Sequence, residues 1–114
     1  MSKTADAIVV LVTAGSAEDS EKIARSLVEE RLAACVNVVA PITSVYRWRG
    51  AVERAEEVLL VVKTRRQNAA RVAARIRALH SYDLPEAIVL PIAGGSSDYL
   101  AWVLGESAPP RRPR

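Results

Sequence analysis

The chain has one cysteine, one histidine and no phenylalanine. Each scarcity excludes something. Cys35 alone forms no intrachain disulfide, which fits a reducing compartment and points to a cytoplasmic location. His80 alone cannot fill a transition-metal site, which needs three or four ligands. RNA-recognition sheets stack bases on aromatics of their third strand. The corresponding run here is Val58-Leu59-Leu60-Val61-Val62, so that contact surface is missing. No apolar run spans a bilayer; Ala7–Val12 is far too short. Met1–Asp6 lacks the basic and apolar regions of a signal peptide. Gly-x-Ser-x-Gly, a Walker loop and Gly-x-Gly-x-x-Gly are all absent, so neither a catalytic motif nor a cofactor loop stands out. Gly94-Gly95-Ser96-Ser97 reads as an ordinary turn before a helix.

Excess charge is scarce too. The net charge is +3, but Arg111, Arg112 and Arg114 sit in the terminal Pro109–Arg114 segment. Without those three arginines the body is neutral, which argues against a nucleic-acid or membrane-surface partner. The expected organisation is a single domain over residues 1–114. Its ordered core runs from about 7 to 106, and 107–114 reads as a disordered Pro/Arg tail.

The patterning that is present gives a clear element order. Ala7–Val12 reads as a central strand. Ser16-Ala17-Glu18-Asp19 opens a helix to about Arg31, with Ile23, Leu27 and Leu32 on its apolar stripe. A second helix carries Ala69, Val72, Ala73, Ile76 and Leu79 on its buried side. Its arginines, Arg71, Arg75 and Arg77, read as a solvated face. Ala87–Leu90 reads as a further buried strand, stopped by Pro91. Ser96-Ser97-Asp98 begins a short helix with Leu100, Val103 and Leu104. The order β-α-β-β-α-β plus a C-terminal helix is an α+β, ferredoxin-like split β-α-β fold. It implies one antiparallel sheet with both main helices on one face.

The central hairpin is the most informative feature. Val36, Val38, Ala40, Ile42, Ser44, Tyr46 and Trp48 alternate with Asn37, Val39, Pro41, Thr43, Val45 and Arg47. Pro41 requires an edge position or a bulge. A thirteen-residue arm reaches roughly 43 Å, whereas a compact chain of this size is roughly 34 Å across. The hairpin should therefore overhang its own core and expose backbone groups that invite another chain. One alternative stands beside this. Ala51–Glu57 is rich in helix formers, and a helix there would shorten the overhang.

The chemistry concentrates in His80-Ser81-Tyr82-Asp83-Leu84-Pro85-Glu86, between the second helix and the last strand. An imidazole, a phenol and two carboxylates share one short loop. Two readings compete. In one, His80, with Glu86 or a neighbouring chain, holds a divalent cation weakly, copper above all. In the other, His80 and Tyr82 cap the helix and tie down the loop. Cys35 reads as a small buried thiol.

Several segments in this order resemble the CutA family of divalent-cation tolerance proteins. They are Arg31-Leu32-Ala33-Ala34-Cys35-Val36-Asn37, Ser44–Gly50, Lys63-Thr64, His80–Glu86 and Tyr99-Leu100-Ala101-Trp102. The resemblance runs from about Ile8 to Val103. It implies a tight homotrimer built through the hairpin, like that of PII signalling proteins. It also implies involvement in divalent-cation, especially copper, tolerance or the response to metal ions, and the lack of an activated nucleophile, a metal cage and a cofactor loop makes the expected role non-catalytic. The alternative is a PII-like sensor binding a small ligand in inter-subunit clefts lined by Tyr46, Trp48, Lys63, Tyr82 and Glu86. Family members with proposed copper sites carry a cysteine where this chain has Val12, and paired histidines where it has Leu79-His80. The resemblance therefore implies the scaffold more strongly than a tight copper site.

Overall fold

The computed structural model describes residues 6–110. The elements are β1 (Ala7–Ala14), α1 (Ala17–Glu29), β2 (Cys35–Trp48), β3 (Ala51–Arg65), α2 (Ala69–Leu79), β4 (Ile88–Pro91) and α3 (Ser97–Glu106). They form one sheet of order β2-β3-β1-β4. Every neighbouring pair is antiparallel.

Period-two alternation divides the sheet into two faces. Ile8, Val10 and Val12 of β1 and Leu60 and Val62 of β3 point to one side. There they pack against Ile23 and Leu27 of α1 and Val72 and Ile76 of α2. Ala7, one residue out of phase, packs against Leu100 and Leu104 instead. The third helix therefore covers one end of the opposite face. Burial of each large apolar side chain contributes about 1.5–3 kcal/mol. Both expected caps form: Ser16 Oγ accepts from the Asp19 amide at 3.1 Å, and Ser96 Oγ from the Tyr99 amide at 3.3 Å.

The end of α3 is clamped to the core. Arg31, with φ 59°, lies beyond the end of α1. Its guanidinium donates to the carbonyls of Ala108 at 2.7 Å and Gly105 at 3.1 Å. Arg65 donates to the Leu104 carbonyl. Asn68 Nδ2 donates to the Ser107 carbonyl at 2.8 Å and Thr64 Oγ1 at 3.1 Å. Packing thus continues through Ser107, which is fully buried, to Ala108. The arginines of the expected tail, Arg111, Arg112 and Arg114, lie outside the described residues.

The hairpin overhangs as its length demands. β1 pairs with β3 only from Val58 to Arg65. Ile42–Trp48 and Ala51–Glu57 therefore pair with each other alone, as a two-stranded ribbon. The ribbon adds roughly 20 Å beyond the four-stranded part, and the chain measures 53 × 30 × 22 Å. Ala51–Glu57 is strand, so the helical alternative is overturned. Cross-strand pairing outweighs the weak helix propensity of that segment. Trp48 pairs with Ala51 around Arg49 and Gly50, both at positive φ (49° and 84°). That backbone suits a two-residue hairpin turn matching strand twist. Pro41 lies on an edge strand, and the register shifts between Val39 and Ile42.

The last strand departs from expectation. β4 is exposed along its whole length, with Ile88, Val89 and Leu90 at 43–49%. It is the sheet's other edge, and within one chain too little packs against it to bury it. Ala73, expected on the buried side of α2, is exposed as well. Among the described residues, no helix is long and apolar enough to cross a membrane.

Candidate functional site

A cleft of about 690 Å³ opens where the ribbon leaves the sheet. Its walls come from two places distant in sequence. Strand alternation puts Tyr46 and Trp48 on the same side of the ribbon as Ser44, and all three line the cleft. The loop from α2 to β4 brings Tyr82, Asp83 and Glu86 against them. Glu57 is the last ribbon residue before β3 begins to pair with β1, and it lies between the two walls.

Glu57 and Tyr82 form the centre of the site. The Tyr82 hydroxyl donates to Glu57 Oε2 at 2.8 Å. Glu57 is 9% exposed, low for a carboxylate. Burial pushes the Tyr82 phenol up to about 12, and the Glu57 carboxylate holding its proton adds to the effect. Gly15 makes room for the ring. A Cβ there would stand 3.0 Å from the Tyr82 hydroxyl oxygen.

His80 supports this arrangement from behind. The Tyr82 amide donates to its Nδ1 at 3.0 Å, and its Nε2 lies 2.7 Å from the Thr13 carbonyl. A donor at Nδ1 leaves the ring proton on Nε2, which donates to Thr13. The imidazole and phenol rings pack at 4.5 Å between centroids. Ser81 Oγ donates to Asp19 Oδ2 at 3.1 Å, fixing the loop to α1. Of the two readings of this loop, the geometry favours the one that ties it down.

The expected metal ligand is therefore already engaged. A cation at either nitrogen of His80 would displace one of its hydrogen bonds. Glu86 lines the cleft, and His80 does not. Among the described residues, no cluster of three or more His, Cys, Asp or Glu side chains is placed to hold a metal ion. Cys35 is only partly buried.

Of the residues expected to line clefts between subunits, Tyr46, Trp48, Tyr82 and Glu86 come together in this cleft of a single chain. Lys63 does not. Its ammonium sits 5.7 Å from the centre of the Tyr99 ring on α3. Glu57 and Gly15 are the residues that sequence reasoning passed over. The available signal was Glu57's position directly before the apolar run Val58–Val62, where a charge at a strand junction asks for a partner.

A family model described as CutA1 divalent ion tolerance protein matches residues 8–106. The chain is 50% identical over 95 residues to the divalent-cation tolerance protein CutA of Thermus thermophilus, covering 83% of this chain and 92% of that protein. It is 49% identical over 102 residues to the chloroplastic protein CutA of Arabidopsis thaliana. That match covers 90% of this chain but only 56% of the plant protein's length. The solved Thermus thermophilus structure superposes with a TM-score of 0.87 at 47% identity, covering 90% of this chain and 99% of that one. A protein from Archaeoglobus fulgidus, described as a periplasmic divalent cation tolerance protein, gives 0.86 at 38% identity, with 90% and 99% covered. By sequence along nearly all of its folded length, and by the overhanging hairpin that shapes its cleft, the chain belongs to the CutA family of divalent-ion tolerance proteins.

Proposed function

We propose that the chain acts as a non-catalytic, homotrimeric ligand-binding protein of the divalent-cation response, with the cleft beneath its hairpin as the binding site. The observation that carries this reading is the Tyr82–Glu57 pair, held in a cleft walled by Tyr46 and Trp48. A few fixed polar groups among aromatic walls is the usual composition of a small-molecule site.

Binding rather than turnover fits the protonation chemistry. A general base is most effective when its pKa lies near the operating pH. The Tyr82 phenol, raised to about 12, keeps its proton far above neutrality. Both nitrogens of His80 are engaged. Neither group is placed to activate a nucleophile.

Assembly into a trimer is supported by what one chain leaves uncovered. Val45 and Val52 on the ribbon are 67% and 68% exposed, and β4 is exposed along its length. Covering such area contributes roughly 25 cal/mol per Å². The number three is what the family resemblance implies. The same resemblance and the single cysteine favour the cytoplasm, which cell fractionation tests.

A thermal-shift screen of metabolites, spanning anionic, neutral and cationic classes, tests the site. At least one class should give a saturable shift that is lost in Tyr82→Ala and Trp48→Ala. Shifts that persist in both variants would place the binding site elsewhere.

A further inference from the structure

We draw no further inference here: the strongest candidate, the apolar groove of about 560 Å³ between α1 and the edge strand β2, lined by Val28, Val36 and Val38, carries nothing because nothing in the structure shows what covers it.

Discussion

Replacing Tyr82 by Phe removes one oxygen atom and tests the centre of the site. The ring, its packing on His80 and the space beside Gly15 all persist. What is lost is the 2.8 Å donation to Glu57. A hydrogen bond to a charged group contributes about 1.5–3 kcal/mol. Tyr82 is 37% exposed and its cleft admits water, so the low end applies, about 1.5 kcal/mol. Urea unfolding at fixed protein concentration reads this directly, as a lower midpoint with unchanged slope. The pH dependence supplies an independent check. The phenol titrates at about 12 in the folded protein and at 10.0 as an unperturbed group. A raised pKa in the folded state means that the folded chain holds the proton more tightly. The stabilisation is therefore fully present below pH 10 and fades between 10 and 12. The stability gap between wild type and Tyr82→Phe should be constant up to about pH 10 and then close. Near-ultraviolet difference titration of the same pair should isolate one tyrosinate with its midpoint at about 12. A midpoint near 10, together with equal stability of the two proteins, would refute the Tyr82–Glu57 pairing.

Two further predictions follow from other contacts. His80→Ala should destabilise the protein by about 2 kcal/mol, since two hydrogen bonds to the ring are lost, while copper affinity by calorimetry stays weak and unchanged. A marked loss of copper affinity in that variant would restore His80 as a ligand. Asn68→Ala should cost about 2 kcal/mol and speed amide exchange at the C-terminal end of α3, because the Ser107 carbonyl loses its buried donor; exchange unchanged there would show the clamp to be unimportant.

Much of the architecture was legible because periodicity and length are properties of single residues in order. The alternation from Val36 to Trp48 announced a strand, and Pro41 announced its irregularity. Ser16 and Ser96 announced two helix starts. The overhang was legible from arithmetic alone, since two long arms cannot fit within a small core. The exposure of β4 within one chain is not legible in the sequence, for a specific reason. A short apolar run looks the same whether its own chain or a neighbour covers it. The aromatic part of the site was legible for a similar reason, as Tyr46 and Trp48 share a strand face and Tyr82 stood out in a polar loop. Glu57 was not. Its burial depends on where β1 stops pairing and where the loop after α2 returns, and neither is written near residue 57. Within one chain Lys63 sits beside the Tyr99 ring of α3, and a cleft between subunits is not legible from a single strand position.

Sedimentation equilibrium at micromolar concentration tests the central claim most directly, that the overhanging hairpin builds an assembly of three. Three chains of 12.3 kDa should sediment as one species of about 37 kDa across a wide concentration range. A folded species of 12.3 kDa under those conditions would contradict the account.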